Sequence, residues 1–133
     1  MIVLDEQLLK RNLEFEIAKL YPGTVQFITD LRPNTVIKDD AIPTWLRLQN
    51  KQFFVTIKER DFWKKVVIDS HFCIVCFTFS DIHAHKIPQS LRLLYNLPEF
   101  ESKTKRMGKV IRVTAQGISY YTFFDKKACR LDS

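Results

Sequence analysis

Three groups of acidic side chains stand beside apolar runs, where a folded sheet would carry them to its rim. Asp5 and Glu6 follow Ile2-Val3-Leu4, Asp39 and Asp40 precede the helical pattern of Ile42, Trp45 and Leu46, and Glu59-Arg60-Asp61 comes after Gln52 to Ile57. Ligands of open parallel sheets gather outside the carboxyl ends of the strands, and right-handed crossovers would bring all three groups to that side. Carboxylates that converge repel one another unless a cation neutralises them. Mg²⁺ or Mn²⁺ is the cation implied, because hard divalent ions take oxygen ligands and a pair of them can activate water and hold the leaving oxygen of a phosphodiester. Each acid also has a purely structural use. Asp39 or Asp40 can cap a helix, Glu6 can favour a helix start, and Asp61 can cap the next turn.

Other reactive residue types are less well placed. Cys73-Ile74-Val75-Cys76 has the spacing of a redox or zinc pair, but its setting, His71 to Phe77, reads as a strand. Alternation sends residues three apart to opposite faces, so these two cysteines are expected to be reduced and buried in the core. Asp81, His83 and His85, with His71, complete no familiar zinc spacing and read as solvated loop residues. There is no nucleophile elbow, and the chain has only 3 glycines, too few for a phosphate-cradling loop.

The net charge is +6, and most of the excess lies after residue 100. Lys103, Lys105, Arg106, Lys109, Arg112, Lys126, Lys127 and Arg130 run beside Tyr120, Tyr121, Phe123 and Phe124. Cations interleaved with aromatics suit single-stranded RNA, where bases stack and phosphates pair. The alternative is that alternate aromatics fill the core and the cations form a solvated face. The exposed side of this segment could also meet another subunit.

The elements that must position these residues follow from periodicity. Ile2 to Leu4, Thr24 to Ile28, Gln52 to Ile57 and Phe72 to Phe79 are short apolar runs that read as strands. Leu9, Leu13, Ile17, Leu20 and Tyr21 recur at helical spacing up to Pro22-Gly23, and Ile42, Trp45 and Leu46 come next with Pro43 in the first turn. A short helical piece is expected over Phe62 to Val66, and Ile87, Leu91, Leu94 and Tyr95 make another helix that stops near Pro98. Leu31 to Lys38 reads as a loop, and Ser102 to Gly108 as a helical turn or loop. Val110 to Thr114 and Ile118 to Phe124 read as a hairpin. Strands alternating with helices predict a three-layer α/β domain over residues 1–133, with a mainly parallel central sheet and an antiparallel end.

Leu4-Asp5-Glu6-Gln7-Leu8, Asp39-Asp40-Ala41-Ile42 and Phe54-Val55-Thr56 with Asp61-Phe62 resemble the PIN-like family DUF5615, whose members read LLDENL, DEEI and VTxDxDF. That family is similar to toxin-type PIN nucleases and to carboxy-terminal Mut7 domains. The resemblance implies a PIN-like sheet with a Mg²⁺- or Mn²⁺-dependent ribonuclease site, often one half of a toxin–antitoxin pair. On it, Asp5 is a central metal ligand and catalytic residue, Asp39 is the second with Asp40 its rival, and Asp61 completes the cage. Glu6 and Glu59 are supporting acids.

The third motif departs from the pattern. Ile57-Lys58-Glu59-Arg60 stands where the family offers a second aspartate or an asparagine. Lys58 and Arg60, with Lys103, Lys105 and Arg106, are then the candidate RNA contacts, and Lys58 opens the alternative of a catalytically silent module that binds RNA or a protein. An antitoxin protein and a second copy of the chain are the candidate protein partners.

No run approaches the roughly 20 apolar residues that cross a bilayer, and the first residues lack the pattern of a secretory signal. The expectation is a cytoplasmic protein with no membrane partner.

Overall fold

The first strand, β1 (Ile2–Leu4), is only three residues long and wholly buried, because it has a strand on either side and a helical layer on each face. The computed structural model describes residues 1–8, 13–21, 23–31, 41–49, 52–78, 85–115, 117–122 and 129–131. The other strands are β2 (Val25–Phe27), β3 (Gln52–Thr56), β4 (Phe72–Phe77), β5 (Lys109–Thr114), β6 (Gly117–Thr122) and β7 (Cys129–Leu131). The helices are α1 (Leu13–Leu20), α2 (Ile28–Leu31), α3 (Ile42–Gln49), α4 (Glu59–Phe62), α5 (Ile87–Tyr95) and α6 (Lys103–Arg106).

The seven strands form one sheet in the order β2-β1-β3-β4-β5-β6-β7. The five strands from β2 to β5 are parallel, and β6 and β7 are antiparallel to their neighbours. This bears out the α/β expectation and its mainly parallel sheet with an antiparallel end. Alternation divides the core in two. Ile2, Leu4, Phe53, Val55, Cys73 and Val75 face α1 and α5, which contribute Leu13, Ile17, Ile87, Leu91 and Leu94. Val3, Phe54, Ile74 and Cys76 face the other way, toward Ile42, Trp45 and Leu46 of α3 and Phe62 of α4. The two cysteines of the C-x-x-C run therefore lie on opposite faces, buried and free, as their spacing predicts. Burial pushes both thiols well above the ordinary thiol range.

Several boundaries differ from those the periodicity predicts. The helix after β3 begins at Glu59, not at Phe62, because one buried residue, Phe62, suffices to anchor a single turn whose charged residues point outward. Its Phe62 ring packs 5.7 Å from Phe54. β2 stops at Phe27, and Ile28 to Leu31 turn helically where a strand end and a loop were expected. β4 stops at Phe77, and the Thr78 N–H and hydroxyl both donate to the Val113 carbonyl, each at 3.1 Å. Leu20, expected on the apolar stripe of α1, is 43% exposed, since Leu13 and Ile17 already fill that face. Ser102 caps α6 by accepting from the Lys105 N–H at 3.2 Å, which resolves the helix-or-loop alternative. Strand β7 had no sequence signal, its three residues being too few to show alternation. No described helix is long and apolar enough to cross a membrane.

Candidate functional site

Strand order reverses beside β1. The chain leaves β1 for β2 on one side and returns to β3 on the other, so the crossovers diverge at the carboxyl ends of β1 and β3, the place where open α/β sheets gather their ligands. Asp5 sits there, one residue past the Leu4 to Val55 pair. Its N–H donates to the Val55 carbonyl at 3.0 Å, and its own carbonyl accepts from Leu8 N–H at 3.0 Å, which closes the turn Glu6–Leu8. The backbone is therefore held on both sides, and the residue is 1% exposed.

A buried carboxylate is costly unless it is paired or hydrogen-bonded. Thr56, the last residue of β3 and fully buried, donates its hydroxyl to Asp5 Oδ2 at 2.7 Å. Lys58 N–H in turn donates to the Thr56 hydroxyl oxygen at 3.0 Å. The result is a directed relay from a backbone amide through a hydroxyl to the carboxylate. The sequence reasoning missed Thr56 as a functional residue. Its signal was available: a polar residue closing the apolar run Phe53-Phe54-Val55 of a central strand, level with the aspartate that follows the next one.

The other predicted acids fall in different places. Glu6 is exposed at the rim. Glu59, on α4, accepts from an Arg112 Nη at 3.4 Å. Asp61 is exposed, and its N–H closes the α4 turn onto the Lys58 carbonyl at 3.0 Å. Asp39 and Asp40 lie outside the described residues, as do Asp81 and His83. Among the described residues, no group of three or more His, Cys, Asp or Glu side chains could hold a metal ion. His71 is exposed and bonded to Asp69, and His85 is exposed.

The predicted basic residues divide between the two ends of the sheet. Lys58, half-buried, and Arg60, exposed, belong to the Asp5 rim. Lys103, Lys105 and Arg106 belong to the opposite end, where α6 leads into β5 and Gly108 N–H bonds to the carbonyl of Phe72, the first residue of β4. The Met1 amino group is held below its ordinary value there, by burial first and by the charges of Lys103 and Arg106 next. Lys105 and Arg106, with Lys109, have structural work. Lys105 binds Glu101 at 2.9 Å and the Pro98 carbonyl at 3.1 Å. Arg106 donates to the Phe100 carbonyl at 2.9 Å and lies 4.0 Å from the centre of the Tyr95 ring. Lys109 donates to the Glu99 carbonyl at 2.8 Å. Together they clasp the turn between α5 and α6. Of the late aromatics, Tyr121 is buried and donates its hydroxyl to the Val66 carbonyl at 3.1 Å, and burial raises its phenol to about 12. Phe123 and Phe124 lie outside the described residues.

Compared with family models, with curated proteins and with solved structures, the chain matches none.

Proposed function

We propose that this chain is a PIN-like, metal-dependent ribonuclease whose acidic centre is Asp5. The observation that carries the reading is a carboxylate 1% exposed at the strand-order reversal, fixed by the Thr56 hydroxyl at 2.7 Å. Such a group is hard to explain as packing, since an apolar residue there would avoid the cost of burial. A carboxylate is a donor suited to Mg²⁺ or Mn²⁺, and the further ligands are assigned on the family resemblance to Asp39 or Asp40 and to Asp61, with Glu6 and Glu59 in support. A divalent ion held there supplies Lewis acidity and makes water a better nucleophile toward a phosphodiester. Asp5 contributes the fixed negative charge, and Thr56 sets its orientation. Lys58 and Arg60 draw the phosphates of RNA to this rim. In this reading the chain acts as the toxin of a toxin–antitoxin pair, with an antitoxin protein or a second copy as its protein partner.

One observation favours a second reading, a catalytically silent PIN-like module that binds RNA or a protein. Glu59, the acid that could replace the missing third-motif aspartate, is directed to Arg112, and Lys58 stands in the motif itself. Calorimetric titration of Mn²⁺ into the wild type and Asp5→Asn, followed by RNA cleavage with and without EDTA, separates the two. The nuclease is supported if metal binding and cleavage are both present and both vanish in Asp5→Asn. Wild-type protein that neither binds Mn²⁺ nor cuts RNA overturns it in favour of the silent module.

A further inference from the structure

A second cationic feature lies on the same face of the sheet as Asp5. Register runs in one row from Thr56 to Cys76 to Arg112, so Arg112 stands three strand spacings from Asp5, roughly 14 Å. Its guanidinium carbon lies 4.6 Å from the centre of the Trp63 ring, and its buried Nε has no hydrogen-bond partner among the described residues. A buried guanidinium N–H that is left unpaired is expensive. Its one ion-pair partner among the described residues is Glu59, at the long distance of 3.4 Å.

Trp63 leads onward to a cavity of about 260 Å³ lined by Lys64, Lys65, Val66, Val67 and Tyr121. Its ring is 5.2 Å from that of Tyr121, so Arg112, Trp63 and the two lysines form one continuous strip. Lys64 has φ of 60°, the one described residue other than glycine in the left-handed region, a conformation that persists where surrounding structure imposes it. Arginine stacked on an aromatic ring beside exposed lysines is the chemistry that holds a single-stranded nucleic acid, by phosphate pairing and base stacking.

We propose that Arg112, Trp63, Lys64 and Lys65 form a phosphate-binding subsite for the RNA strand whose reacting phosphodiester lies at Asp5, with Glu59 occupying Arg112 until RNA displaces it. The inference rests on the RNA reading above and adds to it where the rest of the strand is held. It also gives Glu59, which meets Arg112 at 3.4 Å, a role on this strip.

The test is fluorescence anisotropy of a labelled oligouridylate with the whole chain in EDTA, where cleavage cannot intrude, over a series of salt concentrations. Arg112→Gln is expected to weaken binding about tenfold at low salt and to reduce the slope of log K against log salt by about 0.7, the loss of one single-strand phosphate contact. Arg112→Lys should restore the slope, and Glu59→Gln should tighten binding more in the wild type than in the Arg112→Gln background, a coupling that a general loss of negative charge would not produce. Lys64→Gln with Lys65→Gln, both exposed, should lower the slope again and serves if Arg112→Gln does not fold. Wild-type binding with an unchanged slope in the variants overturns the subsite alone and leaves the nuclease reading standing. No binding by the wild type in EDTA also overturns the subsite, while cleavage with Mn²⁺ decides the nuclease separately.

Discussion

Replacing Thr56 by valine tests the contact that fixes Asp5 while keeping the shape of the side chain. The substitution exchanges a hydroxyl for a methyl, so β3 keeps its β-branched residue, but Asp5 Oδ2 loses a donor at 2.7 Å and Lys58 N–H loses an acceptor at 3.0 Å. A hydrogen bond to a charged group contributes about 1.5–3 kcal/mol, and the cost is at its fullest where the abandoned acceptor is buried, as Asp5 is. The new methyl returns somewhat under about 1 kcal/mol of transfer free energy. The net destabilisation expected is about 2 kcal/mol. In urea, with a slope of about 1–3 kcal/mol per molar, the midpoint falls by about 1 M. Thr56→Ser keeps the donor and deletes a methyl, so it should cost only about 1 kcal/mol. In an Asp5→Asn background the valine penalty should shrink to about 0.5 kcal/mol, because a neutral acceptor makes the weaker bond and the methyl returns most of it. The reasoning is refuted if valine proves no more harmful than serine, or if its penalty is the same in the Asp5→Asn background as in the wild type.

Two further outcomes are expected from the same structure. A thiol reagent added to the folded chain should react at Cys129, which is exposed, and reach Cys73 and Cys76 only after denaturation, since burial holds both thiols protonated; rapid modification of either in the native chain contradicts their burial in the core. Asp69 accepts from the His71 N–H at 2.8 Å and from Arg47 Nε. Burial alone would raise its carboxyl, but the bonds from His71 and Arg47 outweigh it and hold the carboxyl below its ordinary value. A depressed carboxyl stabilises the fold above its unfolded value, about 3.9, and the stabilisation is lost as pH falls through the lower folded value. Asp69→Asn should therefore be less stable by about 1 kcal/mol at pH 7, a modest figure for a partly exposed pair, with the difference disappearing in acid. A difference independent of pH, measured by urea denaturation, would show that the carboxylate charge is not what holds Arg47 and His71.

Much of this fold is legible in the chain because burial imposes periodicity locally. Ile42, Trp45 and Leu46, or Ile87, Leu91 and Leu94, can share a helix face only at these spacings, and a run such as Phe72 to Phe77 can be buried on both sides only in a central strand. The opposite faces of Cys73 and Cys76 come from strand alternation alone, and the position of Asp5 at a strand end from the change of residue type after Leu4. Partners far apart in sequence are different, since no local pattern encodes which strands become neighbours. Register between β1 and β3 brings Thr56 to Asp5 across 51 positions, and register between β4 and β5 brings Arg112 within reach of Glu59 across 53. Tertiary structure also separated two basic groups that look alike as sequence. Lys58 and Arg60 come after the carboxyl end of β3, whereas Lys103, Lys105 and Arg106 come before the amino end of β5. Because β3 and β5 run parallel in one sheet, the carboxyl end of one and the amino end of the other lie on opposite rims, so the two groups cannot share a site.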